Sequence, residues 1–174
     1  MSDVLLRSFR FRVRLLRSTA INGADGHTRG SVTGTPPNGE PFGDGAFAEC
    51  TGLDVEMEVK DHAEGGRNDG VIRLVGRARY QPIVLRRGMF MPQGGELNRD
   101  LWDWLQGIVS GRRPVARYDG LLEVLDRDIV VARWAFLRGI PSKLAGPALN
   151  ARTGEVAIEE ISISHEGLQL VSAS

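Results

Sequence analysis

Phe9-Arg10-Phe11-Arg12-Val13-Arg14-Leu15 is the stretch that decides the fold. Its apolar residues take every second position and arginines fill the gaps, the period of a strand with one face in a core and the other in water. Leu53 to Lys60 obeys the same rule: Leu53, Val55, Met57 and Val59 alternate with Asp54, Glu56, Glu58 and Lys60. Paired antiparallel, these two strands would set an arginine row beside an acidic row, each opposite-charge pair worth roughly 0.2–1 kcal/mol.

Working outward, further strands are expected at Val71–Val75, Tyr80–Arg86, Val115–Val124, Ile129–Leu137 and Val156–Leu170. The last changes phase. Val156 and Ile158 share one parity, Glu159 and Glu160 interrupt, and Ile161 and Ile163 fall on the other, which predicts a β-bulge or a strand passing between sheets. From Leu97 to Val109 the period becomes helical: Leu97, Leu101, Trp104, Leu105 and Ile108 form one stripe over about three turns, ended by Gly111 and Pro114. The set is mostly β, a β-barrel or two-sheet sandwich with one short helix, in a single domain spanning 1–174. Phe9, Phe11, Leu53, Val55, Ile83, Leu85, Trp104 and Trp134 are its expected core, while Trp102 lies off the helical stripe and is a candidate interface anchor.

Ser18 to Ala46 stands apart as a Gly/Pro-rich insertion without apolar periodicity, too long for a hairpin connection and expected to order only against a partner, with Phe42 and Phe47 as anchors. A second polar stretch, Asp61 to Gly70, is rich in turn formers and joins two strands.

Composition narrows the function classes. With 22 basic and 22 acidic side chains the net charge is near zero, so no global field draws nucleic acid or an anionic membrane, and long-range repulsion between copies is absent. Lys60 and Lys143 are the only lysines. The arginine excess favours planar ion pairs of the kind found at interfaces. One cysteine, Cys50, permits no internal disulfide, and no apolar run nears the ~20 residues a bilayer span needs. Folding in the cytoplasm is the expectation.

The search for catalytic chemistry returns weak signals. Gly43, Gly45 and Ala48 match a loose GxGxxA, but they precede a strand instead of opening a helix. His27, His62, His165 and Cys50 lack metal-ligand spacing, and His165 cannot meet Ser164 or Glu166 because neighbours in a strand face opposite ways. Asp126 and Asp128 flank Arg127 in what reads as a hairpin turn. No catalytic, cofactor-binding or metal residue is assigned, and no enzyme is expected.

Five segments in order carry a family resemblance: FAECTGLDVEMEV at 47–59, EGG at 64–66, GRARYQPIVLRRG at 76–88, LWDWLQGIVSG at 101–111 and AIEEISISHEGL at 157–168. Together they resemble the tail tube family of contractile phages, which includes the inner tube proteins of phage-tail-like contractile injection systems and is similar in fold to the type VI secretion tube protein. The resemblance implies homohexameric rings stacked into a hollow tube, driven by a sheath, with sheath, baseplate or spike proteins as partners and no cofactor. The insertion departs from the family's shorter connection and leaves two main roles open, repeating tube subunit or tube initiator on the baseplate, with a specialised ring near the tube end as a minor third. On this reading Arg10, Arg12, Arg14, Asp54, Glu56 and Glu58 are the lumen-facing candidates, and Glu64, Arg67 and Asp69 the inter-ring loop candidates. The finished protein would be part of a phage tail or injection particle. A stand-alone β-barrel module binding a small molecule or peptide is the alternative from another class.

Overall fold

A computed structural model of the chain describes residues 10–18, 41–42, 47–63, 65–66, 70–89, 97–149, 152 and 156–171. Its elements are β1 (Phe11–Arg17), β2 (Pro41–Phe42), β3 (Phe47–Thr51), β4 (Val55–His62), β5 (Ile72–Tyr80), β6 (Ile83–Gly88), α1 (Asp100–Val109), β7 (Tyr118–Asp126), β8 (Ile129–Ala145), β9 (Ile158–Ser164) and β10 (Gly167–Val171). Mostly β with one short helix, it matches the expected class, and its sheets form an open sandwich.

One sheet runs β2-β1-β7-β8-β9-β6-β3, with β10 also on β8, while β4 and β5 form a separate two-stranded ribbon. The long strand β8 serves two layers. Its first part pairs with β7 and β10, and from Ile140 onward it pairs with β9. Arg138, just before the change of partner, has φ 53°, and its N–H is held by Asp119 Oδ1 at 2.8 Å. The two layers close on one core in which Val13, Leu15, Leu122 and Phe136 meet Phe47, Ile83, Leu85, Ile161 and Ile163. Gly120 makes room for that core, since a Cβ there would lie 2.0 Å from the Phe136 ring.

The helix lays Leu101 and Trp104 into the same core. Trp104 donates its indole N–H to Ala116 O at 2.9 Å and meets Tyr118 edge-on. The helix starts at Asp100, three residues later than the stripe predicts, because Asn98 Oδ1 accepts the Asp100 N–H and Leu97 stays outside. It ends at the predicted place, where Gly111 takes φ 80°.

Three expectations need correction. First, the arginine strand β1 does not pair with the acidic strand β4; it lies between β2 and β7, placing Arg12 directly opposite Glu123. Second, the phase change near Glu159 is neither a bulge in β9 nor a change of sheet. The β6–β9 register runs unbroken from Ile83↔Ile163 to Gly88↔Ile158, and the shift is in β8 between Pro141 and Lys143. Glu159 takes an interior position, while Val156 and Ile158 are exposed. Third, Val55 is 51% exposed, because β4 leaves the sandwich and its apolar side has no cover among the described residues.

Candidate assembly surfaces

The β4–β5 ribbon is amphipathic, as its register dictates. Val55↔Tyr80, Met57↔Ala78 and Val59↔Val75 share one face, and Glu56↔Arg79 and Lys60↔Leu74 share the other. The register shifts between Met57 and Val59, where Gly76 allows close approach: a Cβ on it would sit 2.7 Å from Glu58 O. Val55, Met57, Val59 and Val75 are each more than half exposed. Isolated two-stranded ribbons are marginal in water, and each such side chain gains about 1.5–3 kcal/mol on full burial. An apolar strip of this kind calls for a partner surface.

At the root of the ribbon an open groove of about 640 Å³ is lined by Thr51, Asp54, Glu56, Gln81, Val84 and Ser162, among others. It continues onto an outer sandwich face where charges alternate across four strands. Arg86 of β6 binds Glu49 of β3 at 2.9 Å and Glu160 of β9 at 2.7 Å, and Glu160 binds Lys143 of β8 at 3.5 Å. The Arg86 hydrogen bond holds the Glu160 carboxyl below its ordinary range, against desolvation and with help from the charges of Arg86 and Lys143.

The opposite layer carries a denser cluster. Glu123 is buried, and its Oε2 accepts from Arg12 Nη2 at 2.7 Å and lies 3.4 Å from Arg14 Nη2; Oε1 lies 2.9 Å from Arg133 Nη2. Burial works to raise the Glu123 carboxyl, but the Arg12 hydrogen bond, the charges of Arg14 and Arg12, and the Arg133 bond outweigh it and hold it below the ordinary range. Three cations around one carboxylate leave this face locally positive.

The structure distributes the candidate residues as follows. Arg10 donates to Arg127 O at 2.9 Å and stands 3.7 Å from Asp128, across the two-residue β7–β8 turn. Arg12 and Arg14 converge on Glu123, while Asp54 and Glu56 line the groove and Glu58 lies beside Gly76. The arginine row and the acidic row are therefore not brought together. Phe47 is in the core with Arg87 stacked 5.7 Å above its ring, and Phe42 pairs through its backbone with Leu15. Glu64, Arg67, Asp69 and most of the 18–46 insertion lie outside the described residues. Trp102 is engaged within the chain, donating to Glu159 Oε2 at 3.1 Å. Sequence reasoning assigns no role to Glu123 or the Arg87–Glu159 pair and reads His165 only as a rejected ligand or base; the one signal is a lone charge inside an apolar run, as in Leu121-Leu122-Glu123-Val124-Leu125.

Among the described residues no group of three or more His, Cys, Asp and Glu side chains is placed to hold a metal. Burial pushes the Cys50 thiol up to about 12, which keeps it protonated at neutral pH. No helix among the described residues is long and apolar enough to cross a membrane.

An open β-sandwich that projects an apolar ribbon, uncovered among the described residues, and has charged outer faces defines a class of structural proteins. The family described as T4-like virus tail tube protein gp19 matches residues 7–169, and the chain belongs to that family. A chain of the anti-feeding prophage (AFP) baseplate structure is similar, with TM-score 0.71 and 21% identity over 99% of each chain. A chain of the sheath–tube complex of the extracellular contractile injection system PVC gives TM-score 0.69 at 18% identity, with 97% of this chain and 92% of that one covered. A chain of the PVC sheath/tube terminator structure gives TM-score 0.71 at 18% identity, with 99% and 100% covered. No curated protein sequence matches the chain. Family membership sets aside the stand-alone binding module.

Proposed function

We propose that this chain is an inner-tube subunit of a contractile injection particle, assembling as homohexameric rings that stack into a hollow tube. The observation that carries the reading is the β4–β5 ribbon, whose apolar face of Val55, Met57, Val59 and Val75 is uncovered among the described residues. A neighbouring copy supplies the cover. The contact is heterologous, so it propagates into rings and stacks instead of ending at a dimer.

The role is structural and not enzymatic, in a single domain with sheath, baseplate or spike proteins as further partners. Of the two polar rows, the lumen takes the one on the groove side, where Asp54 and Glu56 continue into the Glu49–Arg86–Glu160–Lys143 ladder. Charges of both signs, already paired, keep such a wall wet and weakly adhesive. Arg10, Arg12 and Arg14 then belong to the layer away from the channel. Glu64, Arg67 and Asp69, which fall in sequence between β4 and β5, are the proposed contacts to the adjacent ring, and the 18–46 insertion is proposed to seat against a baseplate component if the chain is the initiator. Similarity to chains from both a baseplate and a sheath–tube structure accords with either position.

The test is assembly of a Met57→Asp, Val59→Asp double variant. Light scattering and electron microscopy should show rings or tubes for the native chain and folded monomers for the variant. Unaltered tubes from the variant would contradict the reading.

A further inference from the structure

His165 sits where the ribbon joins the sandwich. Its Nδ1 lies 3.0 Å from Gly167 O at the start of β10, and its Nε2 lies 3.1 Å from Gln81 O in the two-residue link between β5 and β6. The ring lies between Tyr80, the last residue of β5, and the fully buried Phe136, with centroids 5.5 Å away on each side. One side of His165 therefore holds the ribbon and the other holds the core.

Both ring nitrogens face carbonyl oxygens, which only accept hydrogen bonds. A neutral imidazole has one N–H, so it donates to one carbonyl and turns a lone pair toward the other; an imidazolium donates to both. The ribbon hangs on two short links, 52–54 and Gln81–Pro82, which pack tightly together. A Cβ on Gly52 would sit 2.0 Å from Pro82 O, and Gln81 N–H reaches Asp54 O at 3.4 Å. A bond gained or lost at Gln81 O acts directly on the angle at which the ribbon leaves the sandwich.

We propose that His165, in its neutral form, is the positioning residue that sets the ribbon's angle, and that its protonation loosens the joint between ribbon and sandwich. The inference rests on the reading of the ribbon as the assembly element, and it makes that element pH-sensitive. Among the described residues, the ionisable groups around His165 are few. Tyr80 presents its ring from β5; the adjoining Glu166 commits its carboxylate to Arg117 at 2.7 Å and Arg138 at 2.9 Å; Phe136 of β8 and Gly167 of β10 bring no charge. Burial pushes the imidazole below its ordinary range and the two carbonyls pull it back. The enclosed site thus favours the neutral imidazole, so the joint is firmest above the ordinary histidine range and loosens as pH falls through the lower value His165 has there.

Hydrogen exchange read by mass spectrometry on the full chain in dilute solution tests this, at about pH 5 and about pH 8 to bracket imidazole titration. Labelling times are scaled for intrinsic rates, and β7 peptides serve as the internal reference. Ribbon peptides should exchange several-fold faster at the lower pH, because protonation favours the opened joint in which the imidazole is solvated. His165→Gln and His165→Phe should both lose the difference, the second keeping an aromatic ring between Tyr80 and Phe136. His62→Gln should retain it, which separates His165 from the histidine on the ribbon itself. A pH effect that persists in both His165 variants, or is absent from the native chain, overturns the proposal. Because exchange is read on the unassembled chain, an intact pH effect alongside failure to form rings would support the hinge and contradict the ring reading alone.

Discussion

Arg87 and Glu159 form an ion pair inside the core, with Nε 2.5 Å from Oε1 and side chains 3% and 1% exposed. The pair is built into its surroundings: Arg87 also reaches Asn98 Oδ1 at 3.3 Å and stacks on Phe47, and Glu159 accepts the Trp102 indole N–H. Four elements or their flanks, β3, β6, β9 and the start of α1, meet at this one pair. Losing either partner strands a charge in the core, so Glu159→Ala should cost about 3–5 kcal/mol, read as a fall in Tm or in the denaturant midpoint. A loss under 1 kcal/mol would show that water reaches the site.

Glu123 predicts an acid-sensitive fold. Its carboxyl is held below the ordinary range in the folded chain, so the stabilisation it provides is full above the unfolded carboxyl's pKa of about 4.3 and is lost as pH falls through the lower folded-state value. Glu123→Gln should lower stability at neutral pH by about 2–3 kcal/mol, since partly exposed arginines soften the loss, and should flatten the acid limb of the stability profile. An unchanged acid limb would place the titration elsewhere.

Gly120 predicts a steric limit. A methyl at that position meets the Phe136 ring at an impossible distance, so Gly120→Ala should destabilise by at least about 1–3 kcal/mol through displacement of a core ring. Thermal unfolding of the variant, alone and combined with Phe136→Leu, checks the cause: the smaller partner should recover part of the loss.

Leu85 is fully buried between the layers, and Leu85→Ala should cost about 2–5 kcal/mol in chemical denaturation while leaving the ribbon's exposure unchanged. A near-neutral result would mean that the core collapses to fill the space.

Much of this fold was legible in the period of the residues. Phe11, Val13 and Leu15 alternate because one face of β1 meets the core, and Leu101 and Trp104 recur helically because α1 covers it. The partner of β1 was not legible, because period two specifies a face and not a neighbour; Arg12 is satisfied by Glu123, 111 positions away. Val55 illustrates the other limit. Alternation says that a side chain seeks an apolar surface, but not whether its own chain or another copy provides it, so β4 reads as a core strand although Val55 is exposed on a ribbon separate from the sandwich. Glu159 misled for the converse reason, a charge whose partner lies inside.

The central claim, that copies of this chain cover one another's ribbons in a ring-built tube, is tested most directly by cryo-electron microscopy of the assembled protein. The account predicts six-fold rings in which Val55, Met57, Val59 and Val75 are buried against a neighbouring copy. Six-fold rings that leave those four side chains in solvent, or a chain that stays monomeric with the ribbon exposed even when offered preformed tube ends, would contradict it.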